Sequence, residues 1–505
     1  MKSAMPDQPP QPQASGAADQ RIGLAYWMKE VVNQCDQVTQ DFAADPVHDL
    51  RTALRRCRSI ADGLMSLDPD PEWKKMKRAG KQLFSSLGAL RDTHVMGDWV
   101  KHFSHKDDIT GKILTDYVLE QEHTHTATAS AALQEFDRKQ WLDWASELPA
   151  RAAHIPLGSP MFAHLALEKW TDARKLHRNA IRRRSSTAYH QLRIGLKRFR
   201  YIVENFLPSL HQQWGKDLKK IQDALGELHD FDVLWSTAVN IEAFPDPETR
   251  ARWHERLETE RRQRIDIYRE KMVGPQSLWR VWRAGLPRPD ELRGIGLERM
   301  QTWASFLDPD NAHARHVSSL ALELYDGLSR TNIMRRSHTP ETRQVLELAA
   351  LTHDVGRSRT KKGHHKATAR LLTKLPPPLG WTAEELRLSA LVARYHRGAL
   401  PRETHHDFSV LFKSRKKRLL LLAGILRLAC ACDRQHDGRI RHLSVEPTDN
   451  LLKVHTEGLS ELDPLAQHLA SARYLLEVAC ERPIFVLPAE AEAQLTTKKA
   501  ALGAA

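Results

Sequence analysis

Two fourteen-residue segments of this chain share one arrangement of histidine, basic and apolar residues, although they lie 142 positions apart. VHDLRTALRRCRSI (47–60) and YHQLRIGLKRFRYI (189–202) align without a gap, with basic residues three, seven, eight and ten positions after the histidine. A second matched pair, LGALRD (87–92) and LGELHD (225–230), follows in the same order. These matches in the same order indicate a duplicated helical unit.

The basic residues of each segment fall on one side of a helix. At about 100° per residue, the positions 0, +3, +7 and +10 span an arc of roughly 80° and a length of about 15 Å. The two predicted stripes contain His48, Arg51, Arg55 and Arg58 in the first copy and His190, Arg193, Lys197 and Arg200 in the second. Two further basic pairs also match between the copies: Arg78 and Lys81, and Lys216 and Lys219.

These stripes carry charge without nearby acidic residues. Residues 174–200 contain no Asp or Glu, and the whole chain has a formal charge of +13. One such stripe is most simply a solvated helix face, because surface ion pairs contribute little. Two matched stripes favour an anion-binding surface, since like charges repel until an anion neutralises them. Arginine and lysine both bind phosphate oxygens, so we expect a phosphate-rich ligand.

Nucleic acid is the competing ligand for such a surface. Proteins that bind single strands without sequence preference stack the bases on aromatic side chains. Only Phe199 and Tyr201 are aromatic in the second stripe, and the first stripe has no aromatic residue. We therefore interpret the stripes as binding a phosphate chain without base recognition, and we do not expect nucleic acid as a partner.

Other sequence features bear on the compartment. The cysteines are scattered and form no disulfide framework: Cys35, Cys57, Cys430, Cys432 and Cys480. The apolar run at 419–432 is about half a membrane span and contains Arg427, so it predicts a buried helix and no membrane partner. The first 20 residues lack the apolar core of a signal peptide, and we expect a cytoplasmic protein.

The fold class predicted from periodicity is mainly all-α. Helical patterns run from about 21 to 285 and return near 296, while alternation in RIRHLSVEPTDNLLKVHTEG predicts a small β element. Gly and Pro in RAGLPRPDELRGIG predict an interdomain linker. The predicted segments are a disordered tail (1–20), a duplicated helical bundle (21–285), a linker (286–295), a second helical domain (296–487) and a flexible tail (488–505).

Histidine and aspartate form an ordered set in the second half. Its members are His313, His353, Asp354, His364 and His396. Imidazoles and carboxylates bind Zn²⁺, Mn²⁺ or Fe²⁺, and oxygen ligands favour Mg²⁺, so the set predicts a divalent-metal site. Any one of these histidines alone would more simply be a surface or core residue. The basic loop that follows Asp354 is either a solvated loop or a phosphate-neutralising one; it contains Arg357, Arg359, Lys361, Lys362 and Lys366.

The duplicated His-x-x-Arg block and the Leu-Gly-x-Leu-x-Asp block resemble a CHAD domain, the conserved histidine α-helical domain, over roughly 21–285. The resemblance implies two related helical bundles that face each other across a basic channel for inorganic polyphosphate. It assigns both stripes to the channel, with Arg78, Lys81, Lys216 and Lys219 contributing from neighbouring helices. The first copy departs at Arg91, which stands opposite His229, so the symmetry is approximate.

The segments HARHVSSLALELYD, LTHDVGRSRTKKGHHK and ARYHRGALP resemble the C-terminal HD-type domain of the exopolyphosphatase and guanosine pentaphosphate phosphohydrolase family, over roughly 296–485. The resemblance implies an HD-type metal site with the five ligands above, and gives His316 and His365 weaker claims. Such a site should close with Asp, whereas this chain has Cys430, with Asp433 three residues later. The sequence contains no counterpart of that family's nucleotide-binding-like catalytic domain.

These observations predict a cytoplasmic polyphosphate-binding protein, with polyphosphate granules as a candidate location. Its second domain is predicted to be a metal-dependent phosphohydrolase acting on polyphosphate or a phosphorylated nucleotide, an activity that the retained His353–Asp354 pair favours. The alternative, which Cys430 favours, is a non-enzymatic granule-associated protein with a degenerate HD domain. The substrate, the metal (Mn, Mg, Fe or Zn) and the oligomeric state stay open.

Overall fold

The computed structural model of the chain is mainly α-helical, as the periodicity predicts. The structure describes residues 23–308, 310–331, 339–448, 450–460 and 463–489. The predicted tails lie outside the described residues, except for the first two positions of the C-terminal one. The described chain divides into two compact units, one up to Pro287 and one from Arg288 onward, with Leu67–Pro69 grouped with the second.

The first unit is helical throughout its described elements. These are α1 (Leu24–Gln40), α2 (Ala44–Leu64), α3 (Pro71–Ala79), α4 (Lys81–Phe103), α5 (Ile109–Gln134), α6 (Arg138–Ala152), α7 (Pro160–Arg183), α8 (Ser186–Phe206), α9 (Pro208–Asn240), α10 (Pro247–Met272) and α11 (Leu278–Ala284). Several helices begin where a side chain caps a free N–H group: Asp70, Asp108, Asp137, Ser159 and Asp246 each accept from a backbone N–H of the first turn. The sequence therefore sets these helix starts locally.

The duplication seen in the sequence is a duplication of structure. Helices α2 and α8 both have 21 residues, and both ends of α8 lie 142 positions after those of α2. In the second copy the 33-residue α9 occupies the place of α3 and α4. Those two helices of the first copy are interrupted at Gly80. The stripes therefore lie on equivalent helices.

The second unit combines helices with a small sheet. Its helices are α12 (Leu292–Ser305), α13 (Asn311–Ser329), α14 (Pro340–Thr352), α15 (His364–Thr373), α16 (Ala383–Tyr395), α17 (His406–Ser409), α18 (Lys413–Cys432) and α19 (Ala466–Cys480), with a 3-10 helix at Val355–Ser358. The apolar run at 419–432 lies in α18, where Leu422, Ile425 and Leu426 are buried in the core of the unit. Within the described part of the chain, none of the helices has the length and apolar character needed to cross a membrane.

The sheet has the strands β1 (Leu443–Pro447), β2 (Leu452–Thr456) and β3 (Ile484–Pro488). β1 and β2 form the predicted antiparallel hairpin, with Val445 opposite Val454. β3 pairs in parallel with β2, with Val486 opposite Val454. β3 was not predicted from the sequence, because parallel neighbours are joined by a crossover, here α19, and leave no local hairpin signal.

The segment predicted as a linker at 286–295 is shorter in the structure. Helix α12 begins at Leu292, so Gly294 and Gly296, interpreted as helix stops, lie inside a helix. A β-carbon at Gly296 would lie 2.8 Å from Cδ1 of Trp381, so this glycine permits close packing rather than ending the helix.

Candidate functional site

Helices α2 and α8 lie side by side and run in the same direction. Arg56 Nη1 donates to Asn205 Oδ1 at 3.1 Å, and Asn205 Nδ2 donates to Ser59 Oγ at 2.8 Å. Further along both helices, a β-carbon at Gly63 would lie 2.3 Å from the ring of Phe206. The contacts advance together along the two helices, which brings equivalent positions of the two copies close to one another.

Four cations, two from each copy, meet between these helices, and we call them the cation cluster: Arg51, Arg55, Arg193 and Lys197. Burial, followed by the charges of Arg193, Arg55 and Arg51, lowers the pKa of Lys197 from 10.5 to about 8. Burial is also the main cause that lowers the pKa of Arg51. The guanidinium carbon of Arg55 and Nζ of Lys197 each lie 5.9 Å from the ring centroid of Tyr201. The protein thus concentrates partly desolvated positive charge at this place.

The stripe of the first copy is held against α3 and α4. Arg51 Nη1 donates to the carbonyl oxygen of Phe84 at 2.9 Å, and Arg58 Nη1 donates to that of Lys77 at 2.5 Å. Both guanidinium groups also lie over the Phe84 ring, 4.5 and 5.0 Å from its centroid. These contacts orient the two arginines with part of their donors already used.

The stripe histidines lie near the second matched block. The rings of His190 and His229 have centroids 4.5 Å apart. In the first copy, burial and then the charge of Arg91, the counterpart of His229, lower the pKa of His48. Burial also raises the pKa of Asp230, at the end of the LGELHD block, to about 6. The two sequence blocks that recur together therefore also meet in space.

Tertiary contacts supply acidic partners that the stripes lack locally. Glu204 pairs with Arg56 and lies 3.5 Å from Arg200. Asp92 interacts electrostatically with Arg51 and opposes the effect of burial on the pKa of that arginine. The expectation of stripes without acidic partners is therefore wrong at these positions, because the carboxylates come from outside the charged segment.

The remaining predicted channel residues are exposed on neighbouring helices. Arg78 lies in the last turn of α3 and is exposed, and Lys81 begins α4 and is also exposed. Lys216 and Lys219 of α9 line a separate cavity of about 370 Å³, whose wall includes Arg264 and its ion-pair partner Glu227. Their part in any channel stays a prediction.

In the second unit the five predicted metal ligands converge around Asp354. His353 and Asp354 follow α14, His364 begins α15, and His396 follows α16. One nitrogen or oxygen atom from each of His313, His353 and Asp354 lies within 4.8 Å of the others, and the same holds for Asp354, His364 and His396. All five side chains are buried. Asp354 belongs to both triplets.

Hydrogen bonds at Nδ1 determine which nitrogen of each histidine remains for a ligand. His353 and His396 donate from Nδ1 to the carbonyl oxygens three residues earlier, at 2.7 and 2.6 Å. His313 donates from Nδ1 to Asp433 Oδ2 at 2.7 Å. Metal-binding histidines use the same arrangement, in which the second nitrogen is held by a carbonyl or carboxylate. The Nε2 atoms therefore remain for a metal ion.

The protonation states at Asp354 also suit a cation. Burial lowers the pKa of His353 and holds that of His396 well below its ordinary value. Burial alone would raise the pKa of Asp354, but the contact with His364 and the neighbouring imidazoles outweigh it, so this pKa is lowered. Asp354 Oδ1 and His364 Nε2 lie 3.1 Å apart without the alignment of a hydrogen bond, and neither has a hydrogen-bond partner among the described residues. Imidazoles and a carboxylate with unused polar atoms fit a divalent ion.

A cavity of about 200 Å³ opens onto this cluster. Its basic wall contains Arg357, Arg397, Arg427, Arg434 and His468. Arg357 Nε lies 2.8 Å from Asp354 Oδ2. Arg427 donates to the carbonyl oxygens of Tyr395 and Gly398 at 3.2 and 2.7 Å, which holds its guanidinium at the cavity wall. The cavity therefore combines candidate metal ligands with donors that suit phosphate oxygens.

The basic loop predicted to neutralise phosphates is divided in the structure. Arg357 lines the cavity at the cluster, and Lys362 and Lys366 line a second cavity. Arg359 and Lys361 are exposed and line neither of the two. The loop therefore does not act as one charged surface, because the chain folds back at the start of α15.

Sequence reasoning missed several residues of the cavity wall. Arg397 could have been found, since it directly follows the predicted ligand His396. Arg427 was visible as a charge inside an apolar run, but nothing local indicated that it faces a cavity. His436, whose ring stacks on His313 with centroids 3.6 Å apart, carries no sequence signal of this contact.

The two histidines with weaker claims lie outside both triplets. His316 Nε2 donates a hydrogen bond to the carbonyl oxygen of Ile440 at 2.9 Å. His365 lines the second cavity. Its ring centroid lies 6.3 Å from that of His396.

Asp433 does not take the place of the closing ligand expected at position 430. Its Oδ2 accepts from His313, and its Oδ1 accepts from the N–H of Gly438 at 2.9 Å, so Asp433 orients His313. Cys430 lines the cavity itself. Burial, followed by the charge of Asp354, raises the pKa of the Cys430 thiol well above its ordinary value. A protonated thiol is a poor metal ligand.

Comparison with protein-family models gives one match in each unit. Residues 26–239 match the model of the CHAD domain. Residues 297–473 match the model of the Ppx/GppA phosphatase, domain III. Both resemblances noted in the sequence are thereby confirmed. The chain thus contains one region that matches the CHAD domain and a second region that matches domain III of the Ppx/GppA phosphatases.

Proposed function

We propose that the protein binds inorganic polyphosphate at the cation cluster. The observation that carries this proposal is the convergence of four cations from both copies at Lys197, whose pKa is lowered to about 8 by burial and then by the charges of the three arginines. The charges repel one another in the unliganded protein, and an anion with closely spaced charges relieves that repulsion. The CHAD match supports polyphosphate as this anion.

The surroundings of the cluster argue against base recognition. The ring of Tyr201 is flanked by Arg55 and Lys197, and its hydroxyl is buried. Phe199 is fully buried and packs against Trp282. Neither ring is placed as a stacking surface for a base, which nucleic-acid binding without sequence preference requires.

Removing two charges of the cluster tests the binding proposal. We expect Arg193→Ala/Lys197→Ala to lower polyphosphate affinity and to reduce the slope of log affinity against log salt by about 1 to 2, by analogy with counterion release. Arg250→Ala/Arg262→Ala, on the exposed side of α10, is the matched control. Equal affinities and equal slopes for the two variants would remove the cluster from the binding site.

We further propose that the second unit is a metal-dependent phosphohydrolase domain acting on polyphosphate or a phosphorylated nucleotide. His313, His353, Asp354, His364 and His396 would hold the divalent ion. Such an ion supplies Lewis acidity toward a phosphoryl oxygen. The match to the Ppx/GppA phosphatase domain III supports a phosphate ester or anhydride as substrate.

The chain's own residues would bind and orient the phosphate groups. Arg397 and Arg434 are exposed at the cavity wall, where their guanidinium donors can reach phosphate oxygens. Arg427 and Arg357 are held by other protein groups and supply fixed positive charge. Positive charge of fixed position is effective where negative charge develops on a transferred phosphoryl group.

A binding protein without catalytic activity is the second candidate, and one observation favours it. Cys430 occupies the place of the closing carboxylate, and Asp433 is engaged with His313 instead. In this alternative the protein associates with polyphosphate granules and the second unit is a degenerate HD domain. Under both candidates we propose a location in the cytoplasm.

Product release decides between the two candidates. Purified protein is incubated with Mn²⁺ or Mg²⁺ and long-chain polyphosphate, guanosine pentaphosphate or a cyclic nucleotide, and the metal content is measured in parallel. Activity that disappears in His353→Ala/Asp354→Ala but persists in His442→Ala, an exposed control outside the cavity, supports the enzyme. Absence of both metal and turnover supports the binding protein.

A further inference from the structure

A second cavity, of about 680 Å³, lies beside α15 in the second unit. Its cationic side chains are Lys362, Lys366, Arg370 and Arg394. His365 and His405 also line it, and no Asp or Glu is among its lining residues in the described part of the chain. The cavity is thus positively charged, and the proposed functions of the two units do not involve it.

The four cations of this cavity have no acidic partners among the described residues, whereas other cations of the unit do. Lys416 pairs with Glu403 at 2.8 Å, for example. Arg394 lies 5.4 Å from the ring centroid of Tyr395, and its buried Nε has no hydrogen-bond partner in the described structure. Unpaired cations around one concave surface repel one another, and a bound anion removes that cost.

The first turn of α15 lies at the same wall. The helix begins after Gly363, which lines the cavity with φ 75° and provides no side-chain cap. Free N–H groups at a helix start attract anions. Lys366 and Arg370 lie one turn apart on the same face of α15, about 6 Å along its axis. This spread suits an extended anion better than a single phosphate group.

We propose that this cavity binds a phosphate-chain anion, either an inorganic oligophosphate or the phosphate tail of a nucleotide. This second cavity is separate from the cavity at the metal-ligand cluster. His396 and Arg397 line the cavity at the cluster, whereas the adjacent residues Tyr395 and Gly398 line the second cavity. Gly398 has φ 78°, and a β-carbon there would lie 3.0 Å from His365 Nε2, so glycine leaves room for this imidazole at the cavity wall.

Lysine labelling in the full chain tests this site without interference from the cation cluster. An amine-reactive ester is applied with and without tripolyphosphate, and mass spectrometry reads each lysine separately. We expect the labelling of Lys362 and Lys366 to slow by about fivefold when tripolyphosphate is at about four times its Kd, because only the free site reacts. Lys374, exposed beyond the end of α15, is the internal control and keeps its rate.

Variants and a second ligand complete the experiment. Arg370→Ala removes an exposed cavity charge and should abolish the protection, whereas Arg387→Ala, exposed on α16 outside the cavity, should preserve it. If a nucleoside triphosphate protects Lys362 and Lys366 as well as tripolyphosphate does, the site recognises the phosphate chain alone. If the nucleoside triphosphate protects them more strongly, the site recognises a nucleotide. Unchanged labelling, equal slowing of Lys374, or equal slowing by sodium chloride of the same ionic strength would overturn the proposal.

Discussion

Raising the pH from 7 to 9 should weaken polyphosphate binding, because Lys197 loses its proton in this range. The pKa of Lys197 is about 8 in the unliganded protein, lowered by burial and by the neighbouring arginines. A bound polyanion stabilises the charged ammonium and raises this pKa again. Binding above pH 8 therefore requires the uptake of a proton, and each further pH unit makes that uptake less favourable.

The size of the effect follows from the pKa. With a pKa of about 8, the protonated fraction of Lys197 falls from about nine-tenths at pH 7 to about one-tenth at pH 9. If the pKa in the complex exceeds 9, affinity should fall by about tenfold between these two values. The arginines of the cluster stay charged throughout, since the guanidinium group does not titrate in this range.

The stability of the unliganded protein should change in the opposite direction. The pKa of Lys197 is lower in the folded protein than the value of about 10.4 in the unfolded chain, so the unfolded state binds more protons between these two values. This group therefore increases the free energy of unfolding as the pH rises from about 8 to about 10.4. Below pH 8, the buried ammonium reduces stability.

Competition anisotropy with labelled polyphosphate at constant ionic strength measures the effect on binding. Lys197→Arg keeps the charge at high pH, so its affinity should change much less than tenfold between pH 7 and pH 9. Lys139→Arg, exposed on α6, is the matched control and should retain the wild-type pH dependence. An equal decrease in wild type and Lys197→Arg would refute the assignment to Lys197.

Three further substitutions examine the metal-ligand cluster. In Gly356→Ala the new β-carbon would lie 2.1 Å from a backbone oxygen at the start of α15. We therefore expect the free energy of unfolding to fall by about 1–3 kcal/mol and the metal content to fall as well. Gly294→Ala, which has open space around it, is the control in thermal unfolding and metal analysis. Asp433→Asn weakens the orientation of His313 and should lower metal affinity by about 10- to 100-fold in a chelator competition; unchanged affinity would contradict its orienting role. Cys430→Asp restores the expected closing carboxylate and should raise metal affinity in the same assay; a decrease would show that the cavity is adapted to the thiol.

The predicted helical character and the predicted hairpin agree with the structure, and both depend on local patterns. Helix starts follow capping residues such as Asp246, and the apolar run of α18 is a buried helix. The hairpin was predicted from alternation within one short stretch. β3 was missed, and α12 begins inside the predicted linker, because both depend on contacts with residues far away in sequence.

The candidate sites divide in the same way. The order of histidines and His353–Asp354 predicted the candidate ligand set, whose members converge in the structure because they lie at or near helix ends. The role of Asp433 could not be predicted, because it depends on how α18 lies against α13. The arginines of the cavity wall come from three separate segments, and only Arg357 was identified from the sequence.

The sequence by itself determined the duplication, the two basic stripes and the choice of residues at the candidate metal site. Helical periodicity is enough for these, because it places residues on one face of one helix. The tertiary structure decided which charges meet: it placed Lys197 beside Arg51 and Arg55, and it brought Glu204 to Arg56. Such contacts depend on the packing of helices about 140 residues apart, and burial at that contact is what lowers the pKa of Lys197.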